Sequence, residues 1–362
     1  MSILSNSQIQ VQVVKVPPTP KQKQRKTLTF SSSSSQTQIT YQNVDASIRG
    51  QVLGPANTLA DIHKVFDDAK VEAGLPTNTL VIGGTHGDEM PGIRVVEKLL
   101  TNPTPRCSPV YVELGNKTAI AMNKRFTDKD MNRISKSDAQ SSSTLDEKRA
   151  KELYEKYEYS PSRMVVDLHT TTSNAGVMLI AIEDSGFKHN INLAKHINAC
   201  LNIEVNVFSP KIPEGTEPKN LMPNMSNKHL AVELGPVMHG QDDAVAANTM
   251  MDIVNIVTEY VDSGVLIGQD TPIPTYVPKG VIELPEGYEV APDFMGTDYK
   301  ELSHDTVVLT NGTKTIAAKD CVPEALQEKL MLGQLHPVFI GEAAYKNETP
   351  RKACILCVKE DS

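Results

Sequence analysis

The chain lacks any apolar run approaching the roughly 20 residues that a membrane-spanning helix requires, which argues against a membrane partner. It also lacks a paired cysteine framework. Its five cysteines, Cys107, Cys200, Cys321, Cys354 and Cys357, are scattered and odd in number. With no secretory leader in evidence, they suit reduced thiols and a cytoplasmic location. Cys354 and Cys357 form a CxxC inside the strand-like stretch ACILCV, but no second pair exists, so core thiols are expected rather than a metal or redox centre. Acidic residues are missing from residues 1–44, which hold five of the 36 Lys and Arg, leaving 31 basic against 44 acidic residues in the remainder, a net charge of −13. A body that acidic is a poor non-specific binder of nucleic acid. An acidic enzyme acting on acidic substrates needs positive charge concentrated in its pocket. Internal repeats are absent, and no arginine occurs between Arg163 and Arg351.

What is present organises the chain into three parts. Residues 1–44, with PPTPKQKQRK followed by SSSSSQTQ, show no helical apolar period and read as a disordered basic, serine-rich tail with a stray strand at Val11–Val16. An organellar transit peptide is the alternative, set against a single arginine, Arg25. Residues 45–262 alternate helices and strands. Asn57–Val71 is expected as an amphipathic helix, with His63 on its polar side. Further helices are expected at Asp146–Tyr157, Phe187–Cys200 and Asp242–Tyr260. Strands are expected at Thr79–Ile82, Val110–Leu114, Met164–Leu168, Val177–Ile182, Glu204–Phe208 and His229–Leu234, with NKTAIAMN as a connection. Such alternation predicts an α/β sheet with helices on both faces. Residues 263–362 change texture to proline-rich, short alternating strands, a smaller β domain in which Asn311-Gly312 marks a hairpin.

The stretch NTLVIGGTHGDE at 78–89 carries the chemistry. Thr79–Ile82 reads as a buried strand, Gly83 and Gly84 end it, and His86 and Glu89 follow three residues apart before a helical period begins at Ile93. A histidine and a glutamate at that spacing can point at one metal ion, and zinc accepts both donor types. His169, in MVVDLHTTTSN, again follows an apolar strand-like run and is the candidate third ligand. An isolated histidine at such a turn is usually just hydrogen-bonded. Three donors each placed just after a buried strand favour a zinc site at the carboxyl ends of an open sheet. Asp167 is read as an outer partner or a buried carboxylate supporting that site, and His239 and His336 as non-ligands.

GGTHGDE, DKDMNRI at 128–134, DLHTTTSN at 167–174, VELGP at 232–236 and GEAAY at 341–345 occur in this order. The chain thereby resembles the aspartoacylase/succinylglutamate desuccinylase family of zinc-dependent amidohydrolases over about Thr79 to Tyr345. The resemblance implies a zinc-carboxypeptidase-like mixed sheet flanked by helices, with the C-terminal β domain capping the site. It implies one zinc ion per subunit on His86, Glu89 and His169. Glu233 of VELGP then matches the catalytic glutamate that moves the proton, Arg125 the arginine beside the oxyanion, and Asn132-Arg133 the pair that grips the substrate's α-carboxylate. Tyr345 matches a tyrosine that the β domain contributes.

One position departs from the family pattern. Where aspartoacylases carry the arginine for the aspartate side chain, this sequence has Pro223, and the nearby tyrosine aligns with Lys219. Lys219 or Lys228 is the candidate replacement charge, with Arg351 the nearest arginine downstream. The expected activity is therefore hydrolysis of an N-acyl amino acid, of which N-acetyl-aspartate is the family's type, to a carboxylate and the free amino acid. Selectivity is expected to shift away from N-acetyl-aspartate, toward neutral side chains or toward acidic ones held loosely by Lys219 or Lys228. The other readings are a carboxypeptidase-like zinc hydrolase of small peptides and a non-catalytic metal-binding relative. The expected partner is a small molecule, and self-association as a homo-oligomer stays open.

Overall fold

The computed structural model describes residues 10–15, 26–32, 35–42, 59–103, 106–201 and 203–362. Near the N-terminus, β1 (Gln10–Lys15), β2 (Lys26–Ser32) and β3 (Ser35–Gln42) pair antiparallel in that order. β1 coincides with the strand expected at Val11–Val16 except for Val16. β2 and β3 also fall within the segment expected as a disordered tail, which thus contains paired strands; Val16, the other residues of the tail and the side chain of His63 lie outside the described residues.

The helix expected from Asn57 is α1 (Leu59–Glu72), with Ala69 of its apolar face buried. β4 (Asn78–Gly83), α2 (Met90–Thr101) and β5 (Val110–Leu114) follow. NKTAIAMN, expected as a connection, folds instead into α3 (Lys117–Met122). Its cap explains this: the Asn116 side chain accepts a hydrogen bond from the Ala119 amide at 3.1 Å, supplying an orphan donor with its partner. α4 (Lys136–Gln140) and α5 (Leu145–Lys156) start with capping boxes at Ser135/Asp138 and Thr144/Glu147. Then come β6 (Arg163–Thr170), β7 (Gly176–Ile180), α6 (Phe187–Leu201), β8 (Val205–Phe208), β9 (Lys228–Gly235) and α7 (Ala244–Ser263).

β5, β4, β6 and β9 lie side by side and parallel, as expected of strands joined by helical crossovers. The near-continuous apolar runs of β4, β6 and β9 are buried on both faces, while β5 is a partly exposed edge strand. One face carries α2, α6 and α7 over Val166, Leu193, Val232, Met250 and Val254, and the other packs Ile82, Met131, Leu153 and Val165. β7 reverses direction and pairs antiparallel with β9, after which β8 runs parallel to β7.

The sheet does not stop at residue 262. β10 (Pro274–Glu283) joins β8 in parallel, so the strands after the proline-rich stretch continue the same layer. A separate small sheet follows, of β11 (Glu289–Val290), β12 (Val307–Thr310) and β13 (Thr315–Ala317), with Asn311-Gly312 in the β12–β13 turn as expected. There the Asn311 side chain accepts from the Thr313 and Lys314 amides. Two short helices, α8 (Ala318–Cys321) and α9 (Gln327–Met331), precede β14 (Leu335–Val338) and β15 (Lys352–Asp361), which complete nine strands in the order β14-β15-β10-β8-β7-β9-β6-β4-β5. The C-terminal part keeps its own core of Ile282, Phe294, Leu309, Leu335 and Leu356. Among the described residues, no helix is long and apolar enough to cross a membrane.

A buried carboxyl ties this C-terminal part together. Asp298 Oδ1 accepts from the Ile340 amide at 3.0 Å, while Oδ2 is buried without a hydrogen-bond partner among the described residues. Burial pushes the carboxyl up to about 6, against the backbone amides that favour its charge. A carboxyl with a raised folded-state value stabilises the fold fully below its unfolded value near 4, and that contribution is lost as the pH rises through about 6. Two units correspond to about 3 kcal/mol. Relative to Asp298→Asn, which cannot titrate, the wild type is expected to lose up to about that much unfolding free energy between pH 4 and pH 7. Parallel pH profiles of the two proteins would show that Asp298 does not titrate in this range.

Candidate active site

The parallel strands bring their carboxyl ends together, and the site residues sit there. His86 lies three residues beyond the end of β4, His169 is the penultimate residue of β6, and Glu233 stands directly beside it on β9, where the register pairs His169 with Glu233. Paired neighbours in a sheet point to the same face, so the register alone sets the two side chains next to one another. Helix α2 brings Glu89, its N-cap residue, over this edge. The approach needs glycine. A Cβ on Gly92 would lie 2.7 Å from the Leu168 carbonyl oxygen, and one on Gly83 would lie 2.3 Å from the Gly92 carbonyl oxygen.

The three candidate ligands are buried, and one donor atom of each lies within 4.8 Å of the others. His86 Nδ1 is 2.7 Å from Glu89 Oε1, His169 Nδ1 is 2.8 Å from Glu89 Oε2, and the two Nδ1 atoms are 3.2 Å apart. The outward ring nitrogens face carboxylates, His86 Nε2 at 3.1 Å from Asp130 and His169 Nε2 at 2.9 Å from Asp167. His86, with its Nε2 proton on Asp130, has its Nδ1 lone pair aimed at the common point, whereas His169 Nε2 lies 2.9 Å from Asp167 without hydrogen-bond geometry and faces the Asn132 amide. Donor atoms converging in this way repel unless a cation sits between them. The donor set therefore fits a metal ion, with Asp130 as the hydrogen-bond partner that orients the His86 ring and Asp167 beside the His169 ring. Thr85 Oγ1 donates to Asp167 at 2.8 Å, which holds the second of these in place. Burial alone would raise the Glu89 carboxyl, but the two imidazoles hold it well below the usual carboxylate range.

Around this centre stand the other expected residues. Arg125 Nη1 donates to Glu89 at 3.2 Å, and Nη2 reaches Asp130 at 3.5 Å. Asn132 Nδ2 lies 3.3 Å from His169 Nε2. Arg133 donates to the Asn132 carbonyl at 2.9 Å and faces Glu348 at 3.9 Å, half exposed at the rim. Glu233 Oε2 is buried without a hydrogen-bond partner among the described residues. Burial pushes its carboxyl up to about 8, with Glu89 and Glu342 adding to the rise and the two histidines opposing it.

His86, Glu89, Arg125, Asn132, Arg133, His169, Glu233 and Tyr345 line one cavity of about 500 Å³. Its remaining walls are largely apolar, with Ile180, Phe208, Met222, Val281, Phe339 and Ile355. Two of the expected residues are not part of it. Lys228 is buried at the start of β9, donates its ammonium to the Pro161 carbonyl, and is five residues from Glu233, about 16 Å along the strand. Lys219 is exposed, and its neighbour Asn220 takes the place in the wall. Both lysines are therefore corrected as substrate residues. Arg351 donates to the Pro285 carbonyl and lines a separate groove.

Glu342 is a residue that sequence reasoning passed over although GEAAY contains it. It is buried and accepts from the hydroxyl of Thr171, from the amide and hydroxyl of Thr172 at 2.8 and 3.0 Å, and from the Ala344 amide at 3.0 Å. Burial opposes its charge, but His239 and these donors lower its carboxyl to about 2. It fastens the segment carrying Tyr345 to the turn after β6.

An open α/β sheet with a buried His-Glu-His centre and a raised glutamate beside it has the layout of a metal-dependent hydrolase. Residues 76–260, just over half of the chain, match the succinylglutamate desuccinylase/aspartoacylase catalytic domain, and the chain belongs to that family. It is 30% identical over 220 residues to the N-acyl-aromatic-L-amino acid amidohydrolase (carboxylate-forming) of Xenopus tropicalis, covering 57% of this chain and 68% of that protein. It is 28% identical over 294 residues to a probable aspartoacylase of Trichodesmium erythraeum, covering 73% of this chain and 92% of that one. The fold is shared with murine aminoacylase 3, with a TM-score of 0.67 at 23% identity over 79% of this chain and 97% of that one.

Proposed function

We propose that this chain is a zinc-dependent amidohydrolase that cleaves N-acyl amino acids, preferring neutral side chains, to a carboxylate and the free amino acid. The observation that carries the reading is the buried His86–Glu89–His169 centre, with its donor atoms converging beside the orphaned Glu233 carboxyl oxygen. The names of the relatives in two branches, N-acyl-aromatic amino acid amidohydrolase and aspartoacylase, support the reaction class.

His86, Glu89 and His169 would hold the ion, which when bound supplies a Lewis acid for the amide carbonyl and makes water more acidic. The chain's own groups do the rest. Glu233, whose value near 8 suits a group that must both take and return a proton close to neutrality, accepts the proton of the attacking water and delivers it to the leaving amine nitrogen. Arg125 keeps a fixed positive charge beside the developing oxyanion, balanced by Glu89 and Asp130 so that it need not reorganise. Arg133, at the rim with Asn132, receives the α-carboxylate, for which the guanidinium fork is suited. Phe339 and Tyr345 close the other wall and pack edge to face at 6.2 Å.

The wall where the family pattern places a cation for aspartate holds Met222 and Asn220, and Pro223, in the same short turn as Met222, is not part of the lining. A carboxylate desolvated against that wall stays unpaired, at a cost of several kcal/mol. N-acetyl-leucine and N-acetyl-phenylalanine are therefore expected to show kcat/KM about 10-fold or more above N-acetyl-aspartate, a margin of ~1.4 kcal/mol. Measuring free amine release across such a panel checks this. A preference of ~100-fold for the aspartate compound, ~2.7 kcal/mol, would overturn the selectivity.

A further inference from the structure

We infer that Lys279 is a second substrate anchor, one that takes a carboxylate carried at the far end of an apolar chain; the inference rests on the amidohydrolase reading above. Three cationic side chains line the cavity among the described residues, Arg125, Arg133 and Lys279. Arg125 is engaged by Glu89 and Asp130, and Arg133 by the Asn132 carbonyl and Glu348. Lys279 has no hydrogen-bond or ion-pair partner among the described residues, although it lines the same cavity.

Its position is built into the backbone. β10 pairs with β15 through Pro278 opposite Cys357 and Gly280 opposite Leu356, so Lys279 falls in a bulge with no partner across the ladder. Bulges re-aim a side chain, and they recur beside active sites. Its two neighbours suit it: Pro278 has no amide proton to offer the ladder, and Gly280 packs closely on Leu326, where a Cβ would lie 2.8 Å from Cδ1.

The path from the metal centre to this lysine is apolar. Ala231 of β9, Ile180 of β7, Phe208 of β8 and Tyr276 of β10 form one row across the sheet, and the first three line the cavity. β10 is three strands from β9 and Lys279 is three residues beyond that row. The Cα of Lys279 is then about 20 Å from that of Glu233, of which the two side chains span about half. An aspartate carboxylate, one carbon from Cα, falls short of this lysine. A carboxylate at the end of a chain of six to ten carbons crosses Ile180 and Phe208 and meets an unpaired ammonium, a charge-assisted hydrogen bond at the end of an apolar floor. The carboxylate has two sources, the acyl chain or the amino-acid side chain.

The test has kinetic and binding arms. In the first, N-acyl-leucines with ω-carboxyacyl groups of six, eight and ten carbons are compared with methyl-terminated acyl groups of equal length. N-acetyl-2-aminosuberate is compared in parallel with N-acetyl-2-aminooctanoate. The carboxylate is expected to lower KM about 10-fold in one arm, identifying its source, with kcat little changed. Lys279→Met should abolish that difference and Lys279→Arg should retain it. A carboxylate preference equal in wild type and Lys279→Met, or absent from both arms in wild type, overturns the anchor. In the second, calorimetry compares suberate with its monomethyl ester on the metal-loaded proteins. Suberate binding that depends on Lys279 in a protein that turns over no N-acyl amino acid sustains the anchor and sinks the amidohydrolase reading. Normal turnover of N-acetyl-leucine with suberate bound alike by wild type and Lys279→Met does the reverse.

Discussion

Glu233→Gln is expected to lower kcat by about 1,000-fold, ~4 kcal/mol of transition-state stabilisation, while the protein keeps its metal. Glutamine fills the same space but cannot accept a proton. The carboxyl it replaces is buried, carries an Oε2 without a partner among the described residues, and stands in register beside His169 without being one of the three converging donors. Removing it takes away the proton carrier and leaves the ligands untouched. It also removes a buried acid pushed up to about 8. The variant should therefore fold at least as well as wild type near neutral pH, and a fall in activity cannot be assigned to unfolding. Metal analysis and thermal denaturation alongside the rate measurement separate the two effects.

His169→Ala is expected to act the other way round, on the metal first and on activity as a consequence. Catalytic zinc is held by three protein ligands, and losing an outer partner of a ligand already costs roughly 10–100-fold in affinity. Losing the ligand itself should exceed that, and His86→Ala should match it. Asp167→Asn provides the internal scale, because Asp167 meets the centre only at the outward nitrogen of His169, at 2.9 Å, while accepting from Thr85 on its other side. Its metal affinity is expected to fall between wild type and His169→Ala. Equal affinity in His169→Ala and wild type, measured by competition with a chelator, would remove His169 from the ligand set.

The candidate ligands were legible because they follow short apolar runs bounded by glycine or rich in branched residues, which read as buried strands, and strands of one parallel sheet end on one side. Glu233 was legible only through VELGP, since a glutamate near a strand end is commonly a surface residue. What gives it physical meaning is the His169–Glu233 register, a property of strand pairing rather than of either segment. The same topology explains what was missed. β7 turns back along β9, and this reversal carries Ile180, Phe208 and Lys279 over the cavity from segments that share no local pattern with the metal motifs. Lys228 was misplaced for the converse reason: it is close to Glu233 in sequence but at the opposite end of the strand. α3 was hidden because six residues carry too little period to be recognised, whereas its stability comes from the Asn116 cap. The C-terminal strands read as a domain of their own because their local texture is β, yet three of them extend the central sheet.

The most direct test of the central claim measures metal content and N-acetyl-leucine hydrolysis on the same preparations of wild type, Glu233→Gln and His169→Ala. The proposed function predicts one zinc and turnover in wild type, one zinc without turnover in Glu233→Gln, and neither in His169→Ala. Turnover surviving in Glu233→Gln, or in His169→Ala stripped of metal, would contradict it.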